Sequence, residues 1–509
     1  MGAGQSNFRC GNGGRFWHDI GALFATCSNG KQEKDSYRHW CGHGIAGSGG
    51  RHLVFLVRTS DASSKYNEEV AKIKSSGEPT TNADWNTWHK AVPTEKNSAL
   101  AYLEARKSLP ANWAEFSKDY QKAYAKSRRS KNFNPSALRI PPSLLPSVRA
   151  QLVAHNVQIN QLLNLYATSP ANQPARFPVD WNNGMTTELP HLAWLKGDVN
   201  LLVMRSRIYA DAGNAGEAVR SILAAHRLAH LLNGEPSLIS VLVQQALYSI
   251  TDVQIERLLN QFALNDAQLE ALHQSIASFN VPGRYANAVI GERCMGIATE
   301  EIARNGSAAE IKRIDKHGEM LEEKLIQHLK KRSVADRDLD MLLYLEFHNS
   351  LSKLFKSGYP QLPASHEKYN ENVKTLARIS ELNELISGKS NPKYIISQML
   401  LKSISNLVGK DSKSQQWSLQ QQMAGTAIAI ERYRLANRTL PQSLDQLVPQ
   451  FLSTLPVDPY SEGKTLRYVA GANGSFMLSS IESDNKKPKH RHPAPDIYTF
   501  GVNPALRRR

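Results

Sequence analysis

Between His191 and Val408 the chain repeats one device: apolar residues at helical spacing, interrupted by Gly or Pro at intervals of about one helix. Leu201, Leu202, Ile208 and Tyr209 form one apolar face; Val219, Ile222, Leu223 and Leu228 form the next, with Ala212-Gly-Asn-Ala-Gly-Glu-Ala218 between them. This predicts a helical hairpin from Leu192 to Leu232, tetratricopeptide-like in character, though with one convincing copy. Gly234-Glu-Pro236 breaks the chain. Leu238 to Phe262 is then apolar almost all round, a pattern that a helix carries only when buried. Asn265-Asp-Ala-Gln268 caps the following helix, which ends near Phe279. Further helices are predicted over Tyr285–Arg304, Ala308–Arg332, Asp336–Phe355, Ala364–Ile386 and Pro392–Val408. Residues 191–410 are therefore expected to be an all-helical core of antiparallel hairpins.

Beyond residue 411 the pattern changes. Met423, Ala427 and Ile430, with Ala424, Ile428 and Leu435, mark a helix that Asn437 is placed to stop in the left-handed conformation. Pro441 bars its continuation, and Leu444, Leu447 and Val448 mark a second, short helix. Leu466 and Tyr468, then Phe476 and Leu478, alternate with Arg467, Val469, Met477 and Ser479. Asn473-Gly474 lies between the two runs, which predicts a β-hairpin. Ile497 to Phe500 is the candidate third strand. The fold class is thus mainly α, with a C-terminal α+β module of one helix and a three-stranded antiparallel sheet over 411–509.

The order of these motifs, from the helix through Asn437-Arg-Thr-Leu-Pro-Gln-Ser-Leu-Asp-Gln-Leu-Val-Pro449 and Leu455-Pro-Val-Asp-Pro-Tyr460 to a Tyr-bearing strand, resembles the globular head of type II secretion pseudopilins. It is closer still to the tail of a group of large, uncharacterised bacterial envelope proteins. The likeness covers roughly the last 90 residues. Arg176-Phe-Pro-Val-Asp-Trp181 and Leu189-Pro-His-Leu192 are similar to a segment that leads into the helical core of the same group. The resemblance implies a location at the cell envelope, associated with the membrane. It implies neither pilus assembly nor calcium binding. A long chain precedes the module here, and Glu482 to His492 is rich in Lys, Arg and His where many pseudopilins carry an acidic loop.

The earlier part of the chain is less regular. Residues 1–52 are Gly-rich, carry Cys10, Cys27 and Cys41, and show no periodicity. The cysteines lack the paired Cys-x-x-Cys spacing of zinc modules. Leu53-Val-Phe-Leu-Val57 resembles the tail end of a membrane anchor, so 1–52 is expected to replace an anchor; a disordered leader is the alternative. No run of 18 apolar residues occurs, so no transmembrane helix is expected in the chain as written. Across 53–190, helices are predicted at Tyr66–Gly77, Asn97–Ser108 and Ser147–Tyr166, with a Pro-rich connector at Pro135–Pro146.

A formal charge of +16 invites a nucleic-acid reading, but the basic residues are dispersed and no aromatic-interleaved basic motif accompanies them. An anionic membrane surface is the better partner, together with other envelope or secretion proteins, and nucleic acid is not the expected partner. Arg176, Asp180 and His191 could form a small polar binding site, with Trp181 as its stacking surface. The competing expectation is that Arg176 pairs with Asp180, His191 caps a helix, and Phe177 and Trp181 pack. His226 and His230 have the spacing of paired metal ligands, but Arg227 stands where a zinc peptidase carries its Glu, so two histidines on an amphipathic helix are expected. Gly42-His-Gly44-Ile-Ala-Gly47 has dinucleotide-loop spacing with no strand before it, and Gly463-Lys-Thr465 lies in a hairpin context. An Asx turn accounts for Asp458. No catalytic residue, metal or cofactor is expected. The composite expectation is a non-enzymatic envelope scaffold or accessory factor. An enzyme with a site near Arg176, Asp180 and His191 is the alternative, and a nucleic-acid-binding protein, resting on charge alone, is the third.

Overall fold

The computed structural model describes residues 61–107, 140, 145–168, 173–181, 187–307, 330–363, 365–387, 412–461, 463–480 and 499–507, with isolated positions between 394 and 408. The Gly-rich leader, its cysteines and Gly42–Gly47 lie outside these residues, as do the basic stretch before His492 and most of the helices expected at Ala308–Arg332 and Pro392–Val408.

The molecule is built around the helix that is apolar on all sides, α8. In chain order the helices are α1 (Ala62–Ser75), α2 (Asn82–Trp88), α3 (Ser98–Arg106), α4 (Leu145–Ala154), α5 (Asn156–Thr168), α6 (Pro190–Asp211), α7 (Ala215–His230), α8 (Leu238–Gln261), α9 (Asp266–Ala277), α10 (Val281–Asn305), α11 (Val334–Lys356), α12 (Tyr369–Ser387) and α13 (Lys413–Asn437). α6 and α7 form the expected hairpin, turning at Gly213, whose φ of 85° is one that glycine adopts without steric cost. Helix α8 packs on α6, α7, α10 and α13. Its length and mean hydropathy of 1.2 would suit a membrane span, yet 61% of its apolar window is buried inside the protein, which makes it a core helix. Among the described residues of 191–408 no strand occurs.

Local chemistry explains most boundaries. Asn265 and Gln268 form a reciprocal capping box at α9, and Asn214 and Asn280 cap α7 and α10. The single helix expected at Ser147–Tyr166 is two, α4 and α5, meeting at His155. α2 was not legible at all: Trp85 and Trp88 are its only large apolar residues, and its start is set by a Thr81–Asp84 capping box. α13 runs through Asn437, and Arg438, not Asn437, takes the left-handed conformation. The Asn437 amide donates to Tyr433 O, so it terminates the helix as a side chain rather than as a backbone conformer.

The C-terminal strands are β1 (Arg467–Ala470), β2 (Phe476–Ser479) and β3 (Thr499–Val502), antiparallel in the order β1-β2-β3. Val469 faces Met477 and Leu478 faces Phe500. Asn473 and Gly474 both have positive φ, as the hairpin signal requires. The expected second short helix is a 3-10 turn, Leu444–Leu447. The inner sheet face does not close on α13 alone. β3 also lies against α8: Asn260 donates to Gly501 O and accepts from Asn503 N, and Glu256 accepts from Gly501 N. One apolar core therefore runs from Tyr102 and Leu163 through Leu247 and Phe347 to Met423 and Leu478.

Candidate functional site

The four residues singled out from the sequence lie near one another in the chain, and the fold gives each a separate internal task. Arg176 sits in an extended segment, 173–181, that crosses the amino-terminal helices. Its guanidinium donates to the carbonyls of His89 and Asn86, and Asn97 clasps its main chain with both amide atoms. Arg176 is thus held by two backbone carbonyls. Asp180 is exposed, and its carbonyl accepts from Thr187. Trp181 is not a stacking surface: it is 2% exposed and packs at 4.4 Å on Trp85, with Cys294 and Met295 beside them. An indole this size is worth more as core than as a ligand platform wherever it can be covered.

His191 opens α6 and is buried. Its Nε2 lies 2.7 Å from a carboxylate oxygen of Glu235, itself 1% exposed, and its ring stacks on Phe177 at 4.2 Å. Glu235 belongs to the Gly234-Glu-Pro236 break, and the break brings more charge with it. Arg284, fully inside α10, donates to Gln244, to Asn233 O and to Glu235 O. Burial lowers the Arg284 pKa to about 10, against the opposing pull of Glu235 and Tyr248. Burial also lowers that of His89 to about 4, helped by the nearby Arg176 and Arg284 cations and opposed by Glu235. Backbone packing is equally close here. A Cβ on Gly291 would lie 1.8 Å from Pro236 O, so the α10 glycine is what lets the break pass over that helix. Glu292 accepts from Leu238 N, capping α8 from a neighbouring helix, although burial raises its pKa to about 7.

The site is therefore a charged hub joining segments 82–97, 173–181, 187–191, 233–238 and 284–293. Of the candidates it brings together Arg176 and His191; Trp181 stands in the adjoining tryptophan cluster and Asp180 at its edge. Glu235, Arg284, His89, Asn97 and Gln244 were missed. The available signal was a lone Glu in a Gly-Glu-Pro break between two apolar helices, and an Arg within an apolar helical face.

No family model, curated protein or solved structure matches the chain.

The remaining motifs are absorbed by packing. His226 and His230 are both buried, not on a solvated face. His226 lies 2.7 Å from Ser275 Oγ and 2.8 Å from Thr251 Oγ1, and His230 stacks on Phe279. Burial lowers their pKa values to about 3 and about 4. Among the described residues no cluster of His, Cys, Asp or Glu has the arrangement of a metal site. Asp458 is buried, accepts from Tyr460 N as an Asx turn, and receives Ser480 Oγ at 3.0 Å. His348, two residues from the half-buried pair Glu346–Arg378, points inward to Tyr344 O.

Proposed function

We propose that this chain is a non-enzymatic envelope-associated scaffold or accessory factor for secretion or envelope assembly. The observation that carries the reading is the burial of His191 against Glu235 at 2.7 Å. The best general acid-base candidate of the sequence is spent on joining the break to α6. Catalysis needs such a group within reach of a substrate proton, so the geometry weighs against the enzyme alternative at this place. What supports the location is the resemblance of the C-terminal module to pseudopilin heads. The α6–α7 helical hairpin is compatible with a tetratricopeptide-like packing unit, and the net charge of +16 suits an anionic surface.

Two measurements test the reading. Co-sedimentation of the full chain with vesicles containing anionic phospholipid is expected to be tight at low salt and to weaken steeply as salt rises. Duplex DNA binding that survives high salt, with vesicle binding absent, would replace this reading by the nucleic-acid one. In cells, crosslinking is expected to recover the chain with envelope or secretion components from the membrane fraction; recovery from the nucleoid fraction instead would count against it.

A further inference from the structure

One cleft of the described surface has a charge pattern that the scaffold reading does not use. It lies between α1, α10, α11 and the start of α12, with a volume of about 430 Å3, within the range of roughly 300–1,000 Å3 typical of small-molecule sites. Five cationic side chains line it, Lys72, Arg293, Lys353, Lys356 and Lys368, against three carboxylates, Glu69, Glu78 and Glu371. The excess of two positive charges can be traced atom by atom. Glu78 serves two cations at once, Arg293 at 2.7 Å and Lys356. Lys353 pairs with Glu371 at 2.7 Å, and Lys72 with Glu69 at 3.4 Å. Lys368 makes no ion pair among the described residues.

The floor is cross-tied by hydrogen bonds and the rim is exposed. Arg293 is 1% exposed and is fixed by Glu78, Pro79 O and the Asn349 side-chain oxygen. Asn349 in turn donates to Glu69, so α1, α10 and α11 are tied beneath the cleft. Burial works against ionisation of Glu78, but the hydrogen bonds from Lys356 and Arg293 outweigh it and hold its pKa below the usual value. The charge pattern at the floor is thus constant through neutral pH. Above it, Lys353, which shares Glu371, and Lys368 stand on exposed stems from different elements, where an incoming anion can compete with Glu371 for Lys353.

We propose that this cleft binds a phosphate monoester. At neutral pH such a group carries about −1.5 to −2 charges, which matches the local excess. Lysine ammonium groups serve phosphate as movable point charges without demanding fixed bidentate geometry. The cleft is larger than a phosphate, so the ester's organic body would occupy the rest of it, along the wall that Ser76, Ser352 and Ser357 help to line. The chemistry is shared by a soluble organic phosphate and by the headgroup of a phosphatidic acid. This inference does not rest on the scaffold reading.

The test is calorimetric titration of the full chain with glycerol 3-phosphate, and in a second arm binding to vesicles with and without phosphatidic acid at equal surface charge. Saturable one-to-one binding is expected, weakened roughly tenfold, about 1.4 kcal/mol, in the Lys353→Gln/Lys368→Gln double variant. Both side chains are exposed, so the fold is retained. The distant pair Lys464→Gln/Arg438→Gln is expected to leave binding unchanged, and dimethyl phosphate, with its single charge, to bind far more weakly. Binding in the soluble arm alone identifies a metabolite-like ester, and binding in the vesicle arm alone identifies the headgroup. No saturable binding in either arm overturns the proposal, as does equal loss in both variant pairs or equal affinity for dimethyl phosphate.

Discussion

The charged hub and the C-terminal module hold themselves together by opposite means. Inside the hub, Arg284, Glu235, His191 and Gln244 are buried with their polar atoms facing one another. Inside the module, Leu444, Leu447, Phe451, Leu466, Phe476, Leu478, Phe500 and Val502 meet as an apolar interior, with few buried polar groups beside it, among them Asp458 and the Arg507–Glu431 pair. The cause is the backbone. The module's strands and helix satisfy most of their own N–H and C=O groups, so their interior is filled mainly by apolar side chains. The hub is assembled from a helix break, an extended segment and helix ends, whose main-chain groups have no ladder to join. Asn97, Arg176, Arg284 and Glu292 supply what those groups lack. A core made of irregular chain carries polar residues because its backbone requires them, without any catalytic purpose.

The largest effect is expected at Glu235. Replacing it with Ala leaves Arg284 and His191 buried beside a void, and should lower unfolding free energy by roughly 3–5 kcal/mol, measured by urea denaturation. A loss under 1 kcal/mol would mean that the hub is hydrated and that its charges are not the main tie. Leu478→Ala in the module should cost about 3 kcal/mol through lost burial and a cavity, equally at pH 5 and pH 8. A strong pH dependence of that loss would break the contrast between the two regions.

Acid should separate the hub and the helices beside it from the module. His226 has a native pKa of about 3, below the ordinary value of about 6.5. Between these values the unfolded chain binds a proton that the native chain refuses, so its contribution to stability falls as pH falls through that window. Asp198 is raised to about 6 and Glu300 to about 7 by burial, and they act with the opposite sign, losing stability as pH rises through their window. His226→Gln removes one component alone. The drop in stability from pH 7 to pH 4.5 should shrink by about 2 kcal/mol relative to the unaltered chain; an unchanged drop would show that His226 is protonated in the native state. The smallest expected effect is that of Asn260→Ala, about 1–2 kcal/mol. It removes the two bonds to Gly501 O and Asn503 N and leaves the one from Gly501 N to Glu256. Hydrogen exchange should accelerate at 499–507 while α6 and α7 stay protected, and uniform acceleration would show that module and body open as one unit.

The same contrast decides what could be read from the chain. Alternation at Tyr468/Leu478 and the Asn473-Gly474 turn announced the sheet, and the all-round apolarity of Leu238–Gln261 announced the central helix, because periodicity is a local property. The hub obeys no period. Nothing in Gly234-Glu-Pro236 says that Glu235 will meet His191, a residue 44 positions earlier, or that Gly291 will admit Pro236. The sequence signalled that Arg176 and His191 were unusual, and their partners were set by long-range packing. That Trp181 packs was among the expectations, but its partner was not legible for the same reason, since Trp85 lies on a helix too short to show a repeat.

The pinning of β3 to α8 bears on how the chain must be made. Glu256 and Asn260 find their partners at Gly501 and Asn503, more than 240 positions later. During synthesis the most apolar helix is therefore complete long before the strand that covers its final turn exists. Ribosomes add about 5–20 residues per second, so the exposed end of α8 waits on the order of ten seconds or more for its cover. In that interval it offers a nascent-chain chaperone an apolar surface that the finished protein no longer displays.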